Sequence, residues 1–145
     1  MSKVDDALLL DRQLCFSIYS TSLAMMQAYK PLLKSLDLTY PQYLVMLALW
    51  ERDGITLKSL AEQLHLDPGS LTPIVKRLES DGLLQRLRDP KDERSLALVL
   101  TPAGRDLRAR ATEVNATFAG LCGLSDGALA DLRQGLVELR SRLES

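Results

Sequence analysis

The sequence predicts a mainly α-helical fold with a small β wing: a winged helix-turn-helix carried between N- and C-terminal dimerisation helices. Three observations predict it. Two short capped helices are joined by only His65-Leu66-Asp67, the outline of a helix-turn-helix. After Gly82 the apolar period changes from helical to alternating, as in a hairpin. Beyond Thr101, two apolar runs step by three and four, the spacing of helix-packing seams.

The elements follow in order. From about residue 5 to 36 the pattern is helical, with Leu14, Ile18, Leu23, Met26, Leu33 and Leu36 at one-turn spacings. Pro31 predicts a kink or break near Lys30, because proline removes a helix donor and clashes with the preceding turn. Thr39 and Gln42 have capping-box spacing, and the helix they open ends near Glu51 with Gly54 beyond it. Thr56 caps a helix over 57–64 whose Leu57, Leu60, Ala61 and Leu64 share a face. Asp67-Pro68 caps the next, with Leu71, Ile74, Val75 and Leu78 inward and a stop at Gly82. Strands are expected over 85–88 and 95–100, joined by a polar turn over 89–94. Thr101-Pro102 opens a long helix with the seam Leu107, Ala111, Val114, Phe118 and Leu121. After Gly123 and the Ser125 cap, a last helix carries Leu129, Leu132, Leu136, Leu139 and Leu143. The chain thus divides into a helical dimerisation region, 1–36 and 101–145, and a DNA-binding lobe, 37–100.

Composition bounds the function. At 145 residues and 46% hydrophobic, the chain suits one domain with a real core. No apolar run reaches the ~18–20 residues that span a bilayer, and two early acids argue against a secretory signal, so a cytoplasmic protein with no membrane partner is expected. One histidine and two cysteines are too few for a zinc site within one chain, and no cofactor is expected. Cys15 and Cys122 lie too far apart for a CxxC motif, and reduced thiols are the default. The net charge of −1 gives no hint of a nucleic-acid partner.

Local features say more. In a recognition helix, Ser70 and Thr72 lie near the start, with Lys76 and Arg77 one to two turns later; Arg94 sits where a wing enters the minor groove. The same cations also suit a solvated face, and residues 67–94 balance six basic against six acidic side chains. Winged helices serve protein contacts too. Cys15 falls inside the first helix, away from its N-terminal turn and from the helix dipole, with Arg12 and Tyr19 on its face. It reads either as a reactive thiol or as a small buried hydrophobe. Cys122, between Gly120 and Gly123, suits a mobile resolving thiol or an incidental hinge residue. Tyr29 lies about 21 Å along a straight helix from Cys15. Two antiparallel copies crossing near Ser22, where Ser20, Thr21 and Ala24 are small, would bring them opposite each other. Otherwise Tyr29 and Tyr40 are ordinary half-buried aromatics. His65 reads as a turn residue, and Trp50 as packing the second helix on the core.

The order of elements resembles the MarR family of dimeric winged-helix regulators, and Asp92-Glu93-Arg94 followed by Leu100-Thr101 is similar to its wing signature. More narrowly, Leu14-Cys15-Phe16, residues 38–43 (LTYPQY) and Leu71-Thr72-Pro73 resemble the organic-hydroperoxide-sensing, OhrR-type branch, in its two-cysteine subgroup. The resemblance implies that Cys15 is the peroxide-reactive cysteine, its thiolate held by Tyr29 and Tyr40. It implies that Cys122 closes a disulfide to the partner subunit's reactive cysteine. Ser70, Thr72, Lys76 and Arg77 match the recognition-helix region, Arg94 the wing arginine and Asp92 its ion-pair partner. The expected protein is a homodimeric repressor on a pseudo-palindromic double-stranded operator, released by organic hydroperoxides and reset by a cellular thiol reductant. The alternative input is a small phenolic or aromatic ligand in the cleft between dimer interface and winged helix. A thiol peroxidase lacks its activating proline-threonine-cysteine context here, so an enzyme is not expected.

Overall fold

Five helices start on a side chain that accepts the N–H three residues on: Thr39 from Gln42, Thr56 from Ser59, Asp67 from Ser70, Thr101 from Gly104 and Ser125 from Ala128. These caps fix the element boundaries in the computed structural model, which describes residues 6–89 and 91–145, without the side chains of residues 89 and 92–94. After a short 3-10 turn, Leu10–Arg12, the helices are α1 (Leu14–Lys34), α2 (Tyr40–Glu51), α3 (Leu57–Leu64) and α4 (Pro68–Ser80). Strands β1 (Leu84–Asp89) and β2 (Asp92–Leu100) precede α5 (Pro102–Cys122) and α6 (Asp126–Glu144).

The core sits in the winged lobe. Tyr43, Met46 and Leu49 of α2 meet Leu60 of α3, Leu71, Val75 and Leu78 of α4, and Leu84 and Leu98 of the hairpin, all essentially fully buried. The strands pair antiparallel from Leu84↔Leu100 to Arg88↔Leu96, then to Asp89↔Asp92 across an irregularity. Both strands run further than the alternation predicted, β1 to Asp89 and β2 from Asp92: ladder bonds join backbones and tolerate polar side chains. Thr56 bridges to Ala97, and Gly54 N–H and Leu98 N–H donate across to Leu98 O and Ile55 O. Two residues of contact carry no sequence period, which is why this third edge was not expected.

Three expectations are corrected. The first long helix begins at Leu14 rather than near residue 5, because Gln13 is extended and its side chain donates to the carbonyls of Ala7 (2.7 Å) and Leu9 (3.1 Å). Cys15 is therefore the second residue of α1, in the turn from which it was thought to be absent. Pro31 does not break the helix, which continues to Lys34. So near the end only one i→i−4 bond is forfeited, and burial of Leu33 and Leu36 beyond it holds the segment down.

The third concerns the seams. Leu107, Ala111, Val114 and Phe118 of α5 are buried within the chain's own lobe, whereas Leu121 is 62% exposed. α6 buries no residue, and Leu132, Leu136 and Leu143 lie open. The first half of α1 is equally bare, with Leu14, Phe16, Ile18, Leu23 and Met25 exposed. Exposed apolar side chains grouped in this way on a helix mark an interaction surface. Among the described residues no helix is long and apolar enough to cross a membrane.

The wing root and α5 meet at a close backbone contact. Thr101 N–H donates to Leu83 O (3.1 Å), Thr101 Oγ1 to Gly82 O (2.6 Å), and Trp50 Nε1 to Gly104 O (2.8 Å). Trp50 thus does pack α2 inward, through a bond to α5. Gly104 passes so near that a Cβ there would stand 2.0 Å from Leu83 O.

Candidate thiol switch and DNA-reading face

At 100° per residue, the face of α4 opposite buried Leu71, Val75 and Leu78 is centred near Pro73, with Lys76 and Thr72 on one flank and Arg77 and Ser70 on the other. The hydroxyls are already engaged. Ser70 Oγ donates to Asp67 Oδ2 (2.7 Å) while Ser70 N–H donates to Oδ1 (3.0 Å), which holds the Asp67 carboxyl below the usual range. Thr72 Oγ1 donates back to Pro68 O (2.8 Å). Both offer only acceptor lone pairs outward, so donation to phosphate requires their hydroxyls to turn. Lys76 is exposed on this face.

Arg77 is turned toward the cleft beside α1. Its Nε lies 3.4 Å from Asp81 Oδ2, and both residues line a cleft of about 780 Å³ with Lys30, Lys34, Asp37 and Tyr40. On the wing, the backbones of Asp92 and Arg94 lie in β2, but their side chains fall outside the described ones, so their expected ion pair is not placed. Arg86 is held within the fold. Its N–H reaches Glu79 Oε2 (2.9 Å) and its guanidinium Oε1 (3.0 Å), tying the wing to the end of α4. Those bonds, the backbone one foremost, hold the Glu79 carboxyl below its ordinary range.

Lys76→Ala should weaken DNA binding about equally on every sequence and lower the slope of log affinity against log salt by about one. Titrations at several salt concentrations check this; an unchanged slope removes Lys76 from the phosphate contacts.

The thiol half of the site is assembled by three helices. Tyr29 of α1 meets Tyr40 (5.2 Å between ring centroids) and Tyr43 (5.9 Å) of α2, and stacks on Phe118 of α5 at 3.8 Å with planes 14° apart. Burial pushes the Tyr29 phenol up to about 12, and Tyr43, Tyr40 and Cys122 add to the shift. Burial raises Tyr40 and Tyr43 as well. All three rings therefore keep their O–H protons, the form that can donate to a thiolate. Cys122 is the last residue of α5, half-buried, and the helix ends on Gly123 at φ 66°.

The chain thus gathers Tyr29, Tyr40 and Cys122 and leaves Cys15 elsewhere. Cys15 is exposed and fourteen residues up the uninterrupted α1, about 21 Å from Tyr29 along the axis. Its first-turn position places it among backbone N–H groups that have no partner within the helix and attract negative charge. Tyr43 and Phe118 were missed as members of this cluster. Tyr43 follows Tyr40 by three, a usable signal; Phe118 was hidden in an apolar seam. His65 is the turn residue expected, left-handed at φ 57°, with Nδ1 3.3 Å from Glu144 Oε1. Among the described residues no acid, histidine and cysteine group could hold a metal.

The Tyr29 shift has a sign in stability. Unfolded tyrosine loses its proton near 10 and folded Tyr29 only at about 12, so the contribution is complete below pH 10 and is lost as pH rises to about 12. Chemical denaturation across that window should show stability falling, and Tyr29→Phe should flatten the fall; an identical slope in the variant removes Tyr29 as its source.

A helix-turn-helix with a wing, flanked by helices with exposed apolar side chains, is the fold of a winged-helix DNA-binding regulator. The MarR family profile matches residues 38–96, and the chain is 44% identical over 138 residues to the organic hydroperoxide resistance transcriptional regulator of Bacillus subtilis strain 168, covering 95% of this chain and 94% of that one. The chain belongs to the MarR family. Among solved structures it is similar to AbfR, a Staphylococcus epidermidis protein. Against reduced, DNA-bound AbfR the TM-score is 0.81 with 33% identity, over 97% of this chain and 99% of that one. Against disulfide-formed AbfR it is 0.66 with 34% identity, over 97% and 93%.

Proposed function

We propose that the chain is a homodimeric repressor that leaves its operator when an organic hydroperoxide oxidises Cys15. The observation that carries this is the split site: Tyr29, Tyr40 and Cys122 lie together in one chain while Cys15 lies about 21 Å up α1, which supports a site completed by the thiol of a second copy. The bare apolar faces of α1 and α6 support pairing through 1–36 and 101–145, leaving 37–100 to read a pseudo-palindromic operator. The fold is nearer to reduced, DNA-bound AbfR than to its disulfide form, which supports a DNA-competent shape.

The Cys15 thiolate attacks the outer peroxide oxygen; the S–O bond forms as the O–O bond breaks, and the alkoxide leaves as an alcohol after protonation. The Tyr29 and Tyr40 hydroxyls of the other subunit hold the thiolate before attack. Cys122 of that subunit then displaces hydroxide from the sulfenic sulfur to form the disulfide. A disulfide needs Cα atoms within about 7 Å, so closure moves helices and re-aims the winged lobes. A cellular thiol reductant resets the pair. Ser70, Thr72, Lys76 and Arg77 serve the major groove, and Arg94, braced by Asp92, the minor groove. Exposed Leu14, Phe16 and Ile18 around Cys15 favour organic peroxides over hydrogen peroxide. One oxidation per subunit is signalling rather than turnover, so the protein is a cytoplasmic regulator and not an enzyme.

A gel shift with the upstream intergenic DNA, with and without cumene hydroperoxide, tests the reading. Release together with a non-reducing dimer band supports it; a shift that peroxide leaves unchanged overturns it. The cleft bearing Lys30, Lys34 and Arg77 favours a second reading, in which a small aromatic carboxylate or phenol releases the DNA. Release by a salicylate-like compound without peroxide would select it.

A further inference from the structure

Phe118 is the last buried residue of α5, and its ring lies flat on Tyr29 at 3.8 Å. Cys122 follows one turn later on the same face, within electrostatic reach of the Tyr29 phenol. Beyond Phe118 this turn offers only exposed Leu121 and half-buried Cys122. Gly120 has open space around it, and the helix stops at Gly123. The stack is the anchor nearest the thiol.

We propose that Phe118 is a positioning residue for disulfide closure: its stack on Tyr29 holds Cys122 in register with the tyrosine that receives the other subunit's Cys15. The inference rests on the thiol-switch reading above and adds the residue that governs its second step. The first step needs Cys15, hydroperoxide and the tyrosine hydroxyls. The second also needs Cys122 in place: its sulfur bonds to the sulfenic sulfur as the S–O bond breaks, and the hydroxyl leaves with the Cys122 proton as water. The hydroperoxide has already supplied the oxidising equivalent, so no other oxidant enters. Removing the stack should therefore slow closure and spare the first oxidation.

The test uses the full-length reduced dimer, cumene hydroperoxide, dimedone trapping of sulfenic acid read by mass, and non-reducing gels over time. In Phe118→Leu, sulfenic acid should form within about threefold of the wild-type rate while closure slows at least about tenfold, so trapped sulfenic acid accumulates. Phe118→Met, also without a ring, should show the same split, and Phe118→Tyr should restore closure. Unchanged operator affinity of each reduced variant marks an intact fold. Closure at the wild-type rate or faster in the Leu and Met variants overturns the inference, as does failure of Phe118→Tyr to restore it. A wild-type protein that closes normally keeps the switch reading standing in either case; one that never forms sulfenic acid overturns that reading and this one together.

Discussion

Cys15→Ser should bind operator DNA within about twofold of wild type yet ignore organic hydroperoxide, its release slowed more than about a hundredfold. A serine hydroxyl stays protonated at neutral pH and does not attack peroxide oxygen, whereas a thiolate does. The substitution changes one atom on an exposed face of α1, remote in sequence from the winged lobe, so reduced-state DNA binding has no reason to fall. Gel shifts across a cumene hydroperoxide series make the comparison. If the variant still lets go at the wild-type dose, the sensing thiol is not Cys15.

Gly104→Ala should be the most damaging small substitution in the chain, costing about 3 kcal/mol or more. The new methyl would stand 2.0 Å from Leu83 O and 3.2 Å from Leu100 Cδ2. Leu83 O cannot step aside freely, because it accepts the Thr101 N–H at the start of the same helix. Relief requires the first turn of α5 to lift from the wing root, which strains the Trp50–Gly104 bond as well. Denaturant unfolding at fixed protein concentration measures this, and a cost under about 1 kcal/mol would show that the junction yields more easily than close packing allows.

What could be read in the sequence was local. The caps at Thr39, Thr56, Asp67, Thr101 and Ser125 involve residues three apart, and each helix start they announced is where the structure has it. The break at Gln13 carries neither glycine nor proline; it depends on a side chain folding back to Ala7 and Leu9, and so Cys15 was placed in the wrong part of its helix. Pro31 carried a strong local signal that burial beyond it outweighed. The Glu79–Arg86 tie, the Gly104 crossing and the Phe118 stack join separate elements, where no periodicity points. Charge in the recognition segment was legible as a sum, but not how it was used: Arg86 braces the wing and Arg77 faces the cleft, which leaves Lys76 on the other flank of the exposed face of α4.

The proposed division of the thiol site between chains has a consequence in genetics. A Cys15→Ser allele and a Cys122→Ser allele each produce dimers with no complete site. Expressed together, they form mixed dimers in which one site has lost both sulfurs and the other has kept both. Two defective copies of the gene therefore complement each other and restore peroxide induction in part, whereas a site contained within one chain would leave the pair as silent as either alone.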